Sequence, residues 1–312
     1  MSCNPVILIP GIGQSKLIVT DESGNKIKNA WPFELDEKAL MNDLKGSLMK
    51  MLIFRKDGGF SDKVAGIVQD ISDPLAVNPD GTKKHRVRPV SFEKSVAECS
   101  ESEKKFIYKM IPFEELGEKI GEENIFFFAF DPFGDIYDTA ASLDEFVAFV
   151  KNKTGSEKVN LVSVSVGGVV LKAYWQQYGD RNDVDKVLNI VSALDGTQLV
   201  ADIFEDRLAL GDPASLLTSL GGKAASLASS IGMLPADIIQ TTIAKSLAVL
   251  KENLVNSCTS MWGLIPNDRF DAIFGSFFAD GGNDILRVKV QSLHEYSLLF
   301  AVKMKGKNFF QI

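Results

Sequence analysis

A chain of 312 residues is long enough for one large domain or two small ones, and 45% hydrophobic with 24% charged residues is ordinary globular composition. The formal net charge is −7 with no offsetting Lys/Arg block, which argues against nucleic acid as a partner. Two histidines and three widely separated cysteines, Cys3, Cys99 and Cys258, show no metal-ligand spacing. No metal or cofactor is therefore expected, and the thiols read as free in a reducing compartment.

The first apolar run, "PVILIP" from Pro5, reads as a fully buried strand closed by Gly11-Ile12-Gly13. It lacks a basic flank and a cleavage site, so no signal peptide is expected. No uncharged apolar run approaches the roughly 20 residues of a spanning helix, since Ala224 to Ala236 is broken by Pro235. A cytoplasmic protein is expected. The glycine pair does not read as a phosphate loop: Lys16 stands where G-x-G-x-x-G needs its third glycine, and no G-K-[ST] follows.

Residues 18–115 read as an irregular insertion. "VTDESGNKI" is a hairpin with Gly24 in its turn, and "EKALMNDLKGSLMKMLI" is an amphipathic helix. "VNPDGTKKHRVRPVSF" is a turn at Asp80-Gly81 between two short strands. His85, among Lys83, Lys84 and Arg86, reads as a solvated strand residue.

The chain then becomes regular. "PFEELGEKIG" is a helix ended by Gly121, and "NIFFFAF" a buried strand closed by Asp131-Pro132. "SLDEFVAFVKNK" is a helix with Ser142 as N-cap and Leu143, Phe146, Val147 and Val150 on one face. "KVNLVSV" is a strand, "GGVVLKAYWQQYG" a helix, and "DKVLNIVSAL" a strand ended by Asp195-Gly196. Short connections between apolar strands and helices mean a parallel sheet covered on both faces. Ligands in such α/β folds bind at the carboxyl ends of the strands, where Gly11, Asp131, Ser165 and Asp195 lie. From about 197 to 270 the pattern is helical, and this segment reads as a lid over that edge.

The stretch Ser163-Val164-Ser165-Val166-Gly167-Gly168 approximates the elbow pattern G-x-S-x-G. The strand-to-helix turn is so sharp that small residues must flank the serine, and Ser163 takes the place of the first glycine. The turn makes Ser165 a candidate nucleophile. The amide of Val166, at the start of the helix, would stabilise an oxyanion, and the amide of Ile12, after the first strand, would be the second donor.

Several stretches together resemble the lecithin:cholesterol acyltransferase-like group of α/β hydrolases. "PVILIPGIGQSKL" resembles its opening strand and oxyanion turn, with Ser15 and Leu17 in place. Trp31-Pro32 resembles its early tryptophan, "FFFAFDPFGD" the strand ending in Tyr-Asp-Trp-Arg, "VNLVSVSVGGVVLKAYW" the elbow, "VLNIVSALDGTQLVADIF" the next strand and Gly-Ser turn, and "SMWGLIP" a leucine-proline motif late in the lid. Val164 replaces the usual histidine, Phe133 ends the degenerate Tyr-Asp-Trp-Arg, and no proline precedes Asp195. The resemblance implies an α/β-hydrolase-like domain spanning the chain, a lipid or ester substrate, and peripheral membrane contact through the lid, where Met233, Leu234 and Trp262 would line an acyl site.

The rest of a catalytic triad has two readings. In one, "LRVKV" is a strand and His294 follows it, oriented by Asp271 or Asp284. In the other, residues 285–304 form a helix stopped by Gly306, with Leu286, Val290, Leu293, Phe300 and Met304 on one face, and "NFFQI" opens the last strand. The family's acid turn and histidine would then not occur, because no Asp-Gly-Thr follows the leucine-proline motif. The resulting functional expectation is a lipid O-acyltransferase, lipase or phospholipase working through an acyl-serine. Its alternative is an impaired or truncated relative that binds lipid or a partner without turnover.

Overall fold

The computed structural model describes residues 4–33, 36–207, 235–304 and 308–311. Its centre is a parallel sheet. Strands β1 (Val6–Ile9), β5 (Ile125–Phe127), β6 (Val159–Val164), β7 (Val184–Ile190) and β8 (Asn308–Gln311) lie in the order β5-β1-β6-β7-β8. Every neighbouring pair runs parallel, with Val6 opposite both Ile125 and Asn160.

The continuous apolar runs are explained by burial on both faces. Side chains alternate along each strand. Ile7, Ile9, Phe126 and Leu161 enter one core cluster with residues of α5 (Ile136–Thr154) and α6 (Gly167–Tyr178). Val6, Leu8, Ile125, Phe127 and Val162 enter another with Ile107 of α3 (Glu101–Met110). The long C-terminal helix α11 (Asp284–Met304) adds Leu286, Val290, Leu293 and Phe300 to the first cluster. Helices thus cover both faces, and the fold is α/β and α/β-hydrolase-like, as the sequence implied.

The insertion is more ordered than expected. Strands β2 (Leu17–Thr20), β3 (Lys26–Trp31) and β4 (Val87–Pro89) form an antiparallel sheet, with Gly24 in its hairpin at φ 81°. The Asp80-Gly81 turn is present, but Val77 and Lys83 form only one bridge across it, and β4 pairs with β2 instead. Two helices, α1 (Glu37–Phe54) and α2 (Phe60–Ser72), sit between these strands.

Two boundaries differ from expectation. Helix α5 starts at Ile136 rather than after Ser142, because the Asp135 carboxylate accepts the Tyr137 amide at 2.8 Å and caps the earlier turn. Strand β7 stops at Ile190 although apolar residues continue. Val191 there has φ 46° and lies 80% exposed, so the chain leaves the sheet before Asp195.

Between residues 197 and 277, helices α7 (Gln198–Phe204), α8 (Ala236–Leu250), α9 (Thr259–Trp262) and α10 (Asn267–Phe277) are described. Helix α8 packs on α2 of the insertion, joined by Ser61 Oγ and Thr242 Oγ1 at 2.8 Å. Asn253 reinforces this by donating to Ser72 Oγ at 2.7 Å. Met233 and Leu234 lie outside the described residues.

Candidate active site

Strand β6 ends at Val164 and α6 begins at Gly167, so Ser165 and Val166 must make the whole reversal. Ser165 takes φ 52°, a left-handed backbone that non-glycine residues reach at a cost of about 1–2 kcal/mol. The turn is held by glycines at its contacts. A Cβ on Gly167 would stand 2.8 Å from the Ile9 carbonyl oxygen and 3.1 Å from that of Pro10. A Cβ on Gly168 would stand 3.0 Å from Ser192 Cβ. Helix α6 therefore begins directly against the ends of β1 and β7. The Ser165 carbonyl accepts from Gly168 N at 3.0 Å and from Ala193 N at 3.3 Å, which ties the turn to the loop after β7.

The glycine turn after β1 reaches the same place. A Cβ on Gly11 would lie 3.0 Å from Ser165 Cβ and 3.5 Å from its Oγ. The two turns singled out in the sequence are thus in contact. Ile12 follows Gly11 with its side chain 44% exposed, while the Val166 side chain is fully buried in the core. The amide of Val166 belongs to the first-turn donors that have no intrahelical acceptor.

Three side chains fix the β1 turn, and the resemblance points to only one of them, Ser15, as part of it. Gln14 Oε1 accepts the Gly11 amide, and Gln14 Nε2 donates to the Met110 carbonyl at 2.8 Å. Trp31 Nε1 donates to the Gly13 carbonyl at 2.9 Å, with its ring against the Gly13 Cα. Ser15 Oγ accepts the Phe130 amide at 3.2 Å, joining this turn to the end of the β5 segment.

Lys172, the one charge inside "GGVVLKAYW", carries no motif signal in the sequence, yet it is fixed in the core. It is 2% exposed, donating to the carbonyls of Leu194 at 3.0 Å and Gly263 at 3.2 Å. Burial pulls its ammonium down to about 8, with the Asp195 carboxylate opposing. The lysine fastens the loop after β7 to the end of α9. Gly196, at φ 81°, completes this seam, because a Cβ there would stand 2.5 Å from Pro266 N. Thr197 N donates to the Leu264 carbonyl at 2.8 Å, so the Asp195-Gly196-Thr197 turn and the leucine-proline stretch meet.

Other candidates fall elsewhere. Asp131 is largely buried and paired with Lys83 at 3.0 Å. His85 is not simply solvated: its Nε2 lies 2.7 Å from Asp73 Oδ2. His294 lies inside helix α11, so the reading of "LRVKV" as a strand is overturned. Its ring stacks on Phe270 with centroids 3.7 Å apart and planes 4° apart. Burial holds its imidazole below the usual range, with Asp271 opposing, and no carboxylate bonds the ring among the described residues. Trp262 also departs from expectation. It is 1% exposed and ringed by Phe204, Phe270, Phe274, Phe277 and Phe278, so it fills core rather than lining an acyl site.

The arrangement as a whole is a serine at a strained strand-to-helix turn, faced by a glycine turn, on an α/β-hydrolase-like sheet. Neither a family model nor a curated protein matches the chain. A chain in the crystal structure of the Tle4-Tli4 complex is similar at 12% identity and TM-score 0.42, over 99% of this chain and 74% of that one. No helix among the described residues is long and apolar enough to cross a membrane, and none of their His, Cys, Asp and Glu side chains group as a metal site.

Proposed function

We propose that the protein is a lipid esterase of α/β-hydrolase type, a lipase, phospholipase or O-acyltransferase, akin to the lecithin:cholesterol acyltransferase-like group. One observation carries the reading: Ser165 is held at φ 52° with the Gly11 Cα beside its hydroxyl. Backbone strain of this kind clusters at functional sites, and at Ser165 it coincides with a glycine turn pressed against the serine. In this chemistry Ser165 Oγ attacks an ester carbonyl, and the amides of Ile12 and Val166 hold the oxyanion. The alcohol leaves, and water or an alcohol acceptor takes the acyl group. Exposed Ile12, Val191 and Leu199 follow strand ends on this side of the sheet and offer apolar surface to a lipid at a membrane. The test is fatty-acid release from phospholipid vesicles. Release by the wild type that disappears in Ser165→Ala supports the reading.

One observation favours a second reading, lipid binding without turnover. The chain has two histidines. One is bonded to Asp73 and the other stacked on Phe270, and no hydrogen bond joins either ring to Ser165 among the described residues. Loss of a triad member costs several orders of magnitude in rate. Vesicle binding with no fatty acid released, unchanged in Ser165→Ala, would select this reading.

A further inference from the structure

Helix α1 has two unlike faces. The inner one supplies Leu44 and Met51 to a buried cluster with Phe60 of α2 and Ile238 of α8. The outer one carries Met49, 51% exposed, and Ile53, 64% exposed, and Phe54 at the helix end is 67% exposed. Met49 and Ile53 are four residues apart, so they stand one above the other on that face. Large apolar side chains left grouped in water mark an interaction site.

Cations frame this apolar ridge. Lys45 precedes Met49 by one turn and Lys50 flanks it, both exposed. The chain leaves the helix at Arg55, in the left-handed region at φ 49°. It turns back so closely that a Cβ on Gly58 would stand 3.2 Å from Lys50 Cβ. The turn carrying the exposed Arg55 and Lys56 is thereby held beside Lys50. None of these four cations has an ion pair among the described residues. The nearby acids are engaged elsewhere. Asp43 pairs with Lys63 at 3.0 Å, Asp62 pairs with Lys245, and Asp57 accepts the Ser61 amide at 2.8 Å. In a chain of net charge −7, four unpaired cations around exposed apolar side chains run against the charge of the whole.

We propose that this face of α1 docks the protein on a membrane that contains anionic lipid. Lysine and arginine stems lie along apolar side chains while their charged heads reach lipid phosphates and carboxylates. Met49, Ile53 and Phe54 enter the boundary between headgroups and acyl chains. The outer side of a single helix is a ridge, which suits a plane. A second copy of the chain fits less well, because a two-fold contact through this face would set the same four cations against each other. The surface lies outside the 197–270 segment expected to act as a lid, and it stands whether or not Ser165 turns over an ester.

Sedimentation of the full chain with vesicles tests the assignment, using phosphatidylcholine alone and phosphatidylcholine with phosphatidylserine in a two-to-one ratio. Each basic side chain near an anionic surface is worth about fivefold in affinity. Expected is binding to the anionic vesicles about twentyfold or more tighter than to the neutral ones, weakening as salt screens the charges. Lys45→Gln/Lys50→Gln should bind about 25-fold more weakly. Ile53→Ser/Phe54→Ser should lose about tenfold or more. All four positions are exposed, so both variants should melt close to the wild type. Equal binding to neutral and anionic vesicles, or binding to neither, overturns the docking face. So does anionic binding that either variant retains in full, which would place the contact elsewhere, such as the surface around Ile12. Self-association that Ile53→Ser/Phe54→Ser abolishes, without vesicle binding, overturns it likewise and gives the face to a second copy.

Discussion

Ser165 and His294 are the two side chains that a serine hydrolase reading of this sequence turns to, and the fold treats them in opposite ways. Ser165 occupies a left-handed turn where neighbouring backbone approaches so closely that only glycine fits. His294 occupies a regular helix, where its ring completes a stack on Phe270. Strain without compensating burial marks the first position, and packing without strain the second. The contrast teaches that residue type alone assigns neither role. The backbone around the residue does.

The largest way to break this contrast is to fill the close approach at the turn. Gly167→Val would force a side chain against the Ile9 and Pro10 carbonyls, which cannot yield cheaply. A loss on the order of 3 kcal/mol is expected in denaturant unfolding. A loss below about 1 kcal/mol would show that α6 does not begin against β1.

Lys172, farther along the same helix, is the next largest. Its folded pKa of about 8 lies below its ordinary 10.5, so between those values the unfolded chain binds more protons. The lysine's contribution to stability therefore rises with pH across that window. Lys172→Met should abolish this rise, measured as the difference between unfolding free energies at pH 7.5 and pH 10, each relative to wild type. At pH 7.5 the variant also leaves the Leu194 and Gly263 carbonyls without their buried donor, expected to offset part of the gain from removing the charge.

Ser165→Gly sharpens the comparison from the other side. Glycine adopts a positive φ freely, so the variant should be more stable by about 1 kcal/mol while any acyl chemistry is lost. No gain, or a loss, would mean the turn is unstrained. The smallest effect is at His294. Burial lowers its pKa from 6.5, so the unfolded chain binds the proton more readily and stability falls as pH drops below 6.5. His294→Phe should keep the stack and lose that part of the acid sensitivity, read as a smaller drop in unfolding free energy between pH 7 and pH 5 than the wild type shows. Loss of Ser165 reactivity in this variant would instead give His294 a catalytic role.

Much of this was legible in the sequence because the rules involved are local. "VILI" and "VNLVSV" are apolar on both faces and therefore lie inside a covered parallel sheet. Ser165 with Gly167 and Gly168 after a strand specifies a tight reversal, and Gly11 after the neighbouring strand specifies the turn that meets it. What was not legible depends on distant partners. Gln14 is fixed by the carbonyl of Met110, 96 residues away, and α8 by α2 through contacts 181 residues apart. Strand β7 ends at Ile190 because the following loop is held by the Ser165 carbonyl, a constraint absent from "VSAL" itself. Trp262 shows a different limit. Its apolar character was plain, but whether such a ring lines a pocket or fills a core depends on the phenylalanines that surround it. The start of α5 turns on two local signals that disagree: apolar spacing begins at Leu143, whereas the Asp135 cap upstream starts the helix at Ile136.

The most direct measurement is covalent labelling of the folded protein with a fluorophosphonate reagent, followed by mass mapping of the modified peptide. Expected is a single adduct on Ser165, absent in Ser165→Ala and retained in His294→Phe. A folded wild type that stays unlabelled, or carries its adduct on another serine, would contradict an activated hydroxyl at the β6–α6 turn.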